Sequence, residues 1–132
     1  PRASLQRRLA DRYLLGSGAF SQRYIFPDGE LTSVSDVDAR AELAGFEVRD
    51  VENLREHYAL TLQHWLERLE ARRMDAVRSV GDVTYRAWRL YLTASRRGFR
   101  SGVLNVNQTL LARPTAAGSA CVPFSRADLY NA

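Results

Sequence analysis

A chain of 132 residues, 45% hydrophobic and 26% charged, can bury one genuine core and has the composition of an ordinary globular domain. No apolar run approaches the roughly 20 residues a bilayer span needs, Arg2, Arg7, Arg8 and Arg12 occupy the place of an apolar leader core, and the single Cys121 excludes a disulfide within the chain. The lone cysteine and the missing leader read as a cytoplasmic protein; the net charge is +4 with all 19 basic residues arginine, which points to a GC-rich coding sequence and would suit an anionic membrane surface. The arginines alternate with 15 acids, however, and so read first as solvated faces paired with them, and without clustering beside stacking aromatics nucleic acid is not expected.

Residues 1–20 read as a turn or two of helix followed by a loop at Gly16-Ser17-Gly18, a connecting segment. Tyr24-Ile25-Phe26 is an aromatic-apolar stretch that a turn at Pro27-Asp28-Gly29 interrupts. A short helix follows, with Ser33 as its cap, Asp36 three residues on and Gly45 just past its end; Val34, Val37 and Ala41 would face inward. Phe46 to Val51 begins in alternation and predicts a strand with one buried face.

The clearest helix carries Leu54, Tyr58, Leu62, Trp65 and Leu69 in one stripe, acids at its start and arginines at its end. A second long helix is predicted over Asp75–Arg97, with Val77, Val80, Trp88, Tyr91, Leu92 and Ser95 inside and Gly98 as its stop. Val103 to Leu111 predicts a last strand with Leu104, Val106 and Leu110 on one face, ended by Pro114. Residues 114–132 read as a flexible tail. Two strands are too few for an independent sheet, so the pattern reads as a piece of a larger one.

Chemistry-bearing motifs are few. Gly16-Ser17-Gly18 is too short for a nucleotide loop. His57 and His64 stand seven apart with no thiolate partner near them. Residue types alone support only an α+β domain.

Three collinear segments add more. Gln22 to Ser33 reads QRYIFPDGELTS; Ala44-Gly45-Phe46-Glu47-Val48 leads through Asn53-Leu54 to His57-Tyr58-Ala59-Leu60-Thr61-Leu62 and Trp65; Tyr85, Trp88-Arg89-Leu90-Tyr91-Leu92, Phe99-Arg100 and Asn105-Val106-Asn107-Gln108 complete the set. In order and spacing they resemble the cyclopropane-fatty-acyl-phospholipid synthase and mycolic acid cyclopropane synthase family, C-terminal part only. Asp28 stands where the family has a glycine and Thr32 where it has a proline.

The resemblance implies an α+β fragment of an α/β class I methyltransferase fold. It would hold the last two strands, antiparallel, with long helices inserted between them and the cofactor-binding strands missing. Residues 21–113 would form the lipid-channel part. The family transfers a methyl group from S-adenosylmethionine to the cis double bond of an acyl chain. The resulting cation loses a proton to bound bicarbonate to close a cyclopropane, or is quenched to a methyl branch. Tyr58 matches the tyrosine that hydrogen-bonds the bicarbonate, whereas periodicity by itself reads it as a core residue. Phe26, Leu31, Leu62, Tyr91 and Phe99 match channel-lining positions, for which core packing requires the same side chains. Trp65 and Trp88 read as structural, and His57 as pointing off the stripe.

Two readings follow. In the first, the chain is the C-terminal portion of such a lipid methyltransferase, binds no cofactor alone, and acts on unsaturated phospholipid or fatty acyl chains at the inner membrane surface beside an N-terminal half or a second copy. In the second, it is a non-enzymatic acyl-lipid-binding or partner-docking module derived from that family.

Overall fold

A computed structural model describes residues 19–27 and 31–130. The connecting segment up to residue 18 and the predicted turn at Asp28-Gly29 lie outside the described residues. Within them the order is α1 (Ala19–Tyr24), α2 (Val34–Leu43), β1 (Glu47–Asn53), α3 (Arg55–Ala71), α4 (Arg73–Arg100), β2 (Asn107–Ala112) and α5 (Ala127–Tyr130). The chain divides into two compact units, one of Pro1–Leu31 with Asn53–Asn107 and one of Thr32–Glu52 with Gln108–Ala132. No helix among the described residues is long and apolar enough to cross a membrane.

In the second unit the local signals at α2 act as expected. Ser33 Oγ accepts from the Asp36 N–H at 3.1 Å, satisfying one of the free donors of the first turn. At the other end Gly45 takes φ +86°, and the Gly45 and Phe46 N–H groups donate back to Glu42 O and Ala41 O. That double return is the Schellman closure, and it needs a left-handed residue where the glycine stands. Ala41 is buried as predicted, but Val37 is 43% exposed. β1 and β2 pair as a two-stranded antiparallel sheet.

β2 starts at Asn107, four residues later than its predicted start at Val103. Its half-buried positions are Asn107 and Thr109, while Leu110 is exposed. Of the predicted face, Leu104 is buried and Val106 half-buried, and Ala112, in the same parity, is the buried residue of β2, so the departure is at Leu110. Beyond Pro114 a turn closes between Thr115 and Ser119, and Arg126 Nε meets Asp50 Oδ2 at 2.5 Å.

In the first unit, α1 was not expected: its residues form a helix, with the Phe20 and Tyr24 rings one turn apart, their centroids separated by 5.3 Å and their planes tilted by 42°. The core consists of Ala59 and Leu62 from α3, Leu92 and Phe99 from α4, and Leu104 beyond it. Tyr58, Leu66, Leu69, Tyr91, Val103 and Val106 pack against that cluster. Of the predicted stripe, Tyr58, Leu62 and Leu69 join the core, whereas Leu54 caps the helix outside that cluster and Trp65 remains 42% exposed.

α4 departs from prediction at both glycines. Gly81 interrupts it with φ 82° and ψ 159°, a region open essentially to glycine alone, and Val80 beside it is exposed. Gly98 does not end the helix, which continues to Arg100. Instead it gives room for the return of the chain. Val103 and Leu104 N–H both donate to Gly98 O, and a Cβ on Gly98 would sit 2.7 Å from Leu104 Cδ1 and 2.9 Å from its Cγ. Leu104 is buried in the core, where side chains pack closely. Gly98→Val is therefore expected to cost about 1–3 kcal/mol by overpacking, read as a lowered thermal midpoint; an unchanged midpoint would show that this close approach is not needed.

Candidate functional site

Tyr58 and Leu62 lie four residues apart on α3 and so share one face of the helix. Phe99 on α4 meets that face: its ring centroid is 5.0 Å from Tyr58, tilted by 56°. Leu62 is 2% exposed and Phe99 8%. Tyr91, also on α4, packs against the same cluster and receives Phe26 edge-on, with centroids 5.7 Å apart. Trp88 closes the set, 5.9 Å from Tyr91 and 6.4 Å from Phe26, both near-perpendicular. Edge-to-face contacts of this kind suit the ring quadrupoles and hold the rings at fixed angles.

Of the six residues singled out from the sequence, five are thus brought into one connected patch. Leu31 is not: it is 47% exposed and stands outside the cluster. Phe26 lies at the edge of the patch, 48% exposed. The Tyr58 ring is half-buried, and its hydroxyl makes no hydrogen bond to any described residue. A phenol at the border of an apolar wall can donate to an anion while its ring keeps the wall dry.

Arg55 is a residue that sequence reasoning missed. Its Nη1 donates to Phe99 O at 3.2 Å and its guanidinium also contacts Glu56. The first bond ties the start of α3 to the last turn of α4, which is where Tyr58 and Phe99 meet. A cation there also favours the carbonyl end of the helix. No periodicity could have marked it, because the partner is a backbone carbonyl 44 residues away.

The groups with shifted titration lie away from this patch. The Gln63 hydrogen bond, with lesser help from His64, holds the exposed Glu67 carboxyl below its usual range, and Glu70 raises Arg89 by a hydrogen bond of 2.7 Å. Among the described residues no three His, Cys, Asp or Glu side chains could hold a metal. No glycine-rich loop of nucleotide-binding length occurs in the sequence. The described residues bring together an aromatic-aliphatic wall and two tyrosines, Tyr58 and Tyr91.

Comparison with known proteins gives this geometry a family. The pattern described as "Mycolic acid cyclopropane synthetase" matches residues 3–109. A probable fatty acid methyltransferase of Pseudomonas putida is 45% identical over 116 residues, 88% of this chain and 29% of that protein. The tuberculostearic acid methyltransferase UfaA1 of Mycobacterium tuberculosis is 42% identical over 81% of this chain and 25% of its own length. Among solved structures, the mycolic acid cyclopropane synthase CmaA1, determined with SAH and CTAB, superposes with a TM-score of 0.69 at 35% identity, covering 76% of this chain and 34% of that one. The cyclopropane synthase MmaA2 of Mycobacterium tuberculosis gives 0.71 at 31% identity, over 77% and 34%. The chain therefore spans about a quarter to a third of the relatives it matches. With the pattern matched over most of its length and its helices and strands superposed on solved members, the chain belongs to the mycolic acid cyclopropane synthetase family.

Proposed function

We propose that this chain is the C-terminal lipid-channel part, centred on residues 21–113, of an S-adenosylmethionine-dependent methyltransferase that acts on the double bond of an unsaturated acyl chain. The observation that carries the reading is the joining of Tyr58, Leu62, Tyr91, Phe99 and Phe26 in one aromatic-aliphatic patch. β1 and β2 would be the last two strands of the complete sheet, and the α3–α4 pair would cover the acyl chain. The product is a cyclopropane or a methyl branch.

In the complete enzyme, bound S-adenosylmethionine supplies the methyl group and bound bicarbonate takes up the proton. The SAH in the CmaA1 structure supports that donor for full-length members. The donor set here suits the bicarbonate and not the methyl donor. Tyr58, whose hydroxyl has no partner among the described residues, would donate to the anion and hold it beside the acyl chain. Phe26, Leu62, Tyr91 and Phe99, with Leu31 brought in from outside the cluster, would hold that chain and exclude water. The same patch suits unsaturated phospholipid at the inner membrane surface, reached from the cytoplasmic side. An N-terminal half or a second copy would complete the sheet.

Calorimetric titration of S-adenosylmethionine into this chain is expected to give no binding heat. Tight binding would overturn the assignment of the methyl donor to a region outside it.

A further inference from the structure

The corner where α3 ends and α4 begins is both apolar and basic. Among the described residues seven large hydrophobic side chains are more than half exposed, and three of them fall within ten residues: Met74 at 73%, Val80 at 52% and Val83 at 71%. Scattered exposed hydrophobics need no explanation, whereas a group does. Gly81 stands among them with φ 82° and ψ 159°, and a Cβ there would meet nothing within 4 Å. The glycine therefore serves the bend and not a close approach. It sets off residues 73–80, of which only Ala76 and Val77 are even half-buried. The Arg73 guanidinium lies over the buried Tyr85 ring at 5.8 Å, which holds this segment in place across the bend.

Residues 68–89 hold six arginines and three acids. Arg78, Arg86 and Arg89 are matched by Asp75, Asp82 and Glu70. Arg73 has the Tyr85 ring, which leaves its charge in place, and the Arg68 and Arg72 guanidiniums have no partner among the described residues. Three uncompensated cations at this corner thus make up most of the net charge of +4.

We propose that this corner docks on the surface of an anionic lipid bilayer. Met74, Val80 and Val83 enter the boundary between headgroups and chains, and Arg68, Arg72 and Arg73 meet the lipid phosphates. The spacing favours lipid over a partner protein. Met74 and Val80 are six apart, about 120° round a helix, and Gly81 interrupts the helix before Val83. A helix seated in a protein groove presents one face at i, i+3, i+4 and i+7. A tip pushed into the headgroup layer is surrounded by lipid and can use side chains on different faces, while arginine stems reach back to phosphate. The docking needs neither Tyr58 nor methyl transfer.

The test uses the whole chain with Cys121→Ser, vesicles of saturated phosphatidylglycerol and phosphatidylcholine in equal parts, and no S-adenosylmethionine. A polarity-sensitive nitrobenzoxadiazole label on Met74→Cys or Val83→Cys is expected to brighten and shift to the blue on these vesicles. On Leu60→Cys, 57% exposed and about three turns before the end of α3, it should not. Cosedimentation with pure phosphatidylcholine should be about a hundredfold weaker, the effect of three net charges. Arg68→Gln with Arg72→Gln should weaken binding to the anionic vesicles about thirtyfold. Circular dichroism should stay unchanged, since neither guanidinium has a partner to lose. Vesicle binding without a shift at positions 74 and 83, or with an equal shift at 60, would place the contact elsewhere and overturn the proposal. Equal binding to neutral vesicles, wild-type binding by the double variant, or no binding at all would overturn it too. With saturated lipid and no methyl donor present, none of these results bears on methyl transfer.

Discussion

Tyr58→Phe in the assembled enzyme is expected to lower turnover by about 10²-fold, the lower end of what a positioned proton-transfer group contributes. Binding of the methyl donor and the fold should be unaffected. The substitution removes one oxygen and keeps the ring, so the 5.0 Å contact with Phe99 survives. In the isolated chain it should also leave the melting temperature nearly unchanged, because the hydroxyl has no partner among the described residues to lose. A purely structural tyrosine predicts unchanged turnover. That result, from initial rates at saturating lipid, would remove Tyr58 from the mechanism. A fall in melting temperature together with a fall in donor affinity would also count against it, because both would place its effect in the scaffold.

Leu62→Ala should be the most damaging single truncation for the fold. Leu62 is 2% exposed and sits at the centre of the cluster formed with Ala59, Leu92, Phe99 and Leu104. Deleting a buried leucine to alanine loses its transfer energy and leaves a cavity, together about 2–5 kcal/mol. A domain of this size has only about 5–15 kcal/mol in total. Leu60, two residues earlier on the same helix, is 57% exposed and provides the control. Leu60→Ala should stay within about 0.5 kcal/mol. Urea denaturation followed by circular dichroism compares the two; equal midpoints would mean that the α3–α4 core is not where this chain holds its stability. The result also bears on function, since the residue that closes the core lies one turn from Tyr58.

How much of this was legible in the sequence depended on whether a signal was local. Ser33 and Gly45 fixed the two ends of α2 because a cap and a left-handed closure are chosen by residues within one turn. The steps of four, three and four residues from Tyr58 through Leu62 and Trp65 to Leu69 identified the buried face of α3 for the same reason. Gly98 misled because a glycine near a helix end has two uses, and only the packing of Leu104 shows that this one serves close approach. The start of β2 was missed because Leu104 turns into the helical core instead of extending. Tyr58 became a candidate only through the motif around it, for its position on the stripe is that of any core residue. Leu31 came from the same motif, and nothing local could tell that it would lie outside the cluster. Arg55 and the open faces of Trp65 and Trp88 depend on residues distant in sequence, and periodicity carries no information about those.

The central claim is that this chain supplies the lipid channel and Tyr58 to a methyltransferase whose donor site lies elsewhere. The most direct test mixes it with the separately expressed N-terminal region of a family member and follows labelled methyl from S-adenosylmethionine into unsaturated phospholipid vesicles. The account predicts no incorporation with either part alone and recovery on mixing, abolished by Tyr58→Phe. Incorporation by this chain alone, or none from a mixture in which the two parts demonstrably associate, would contradict it.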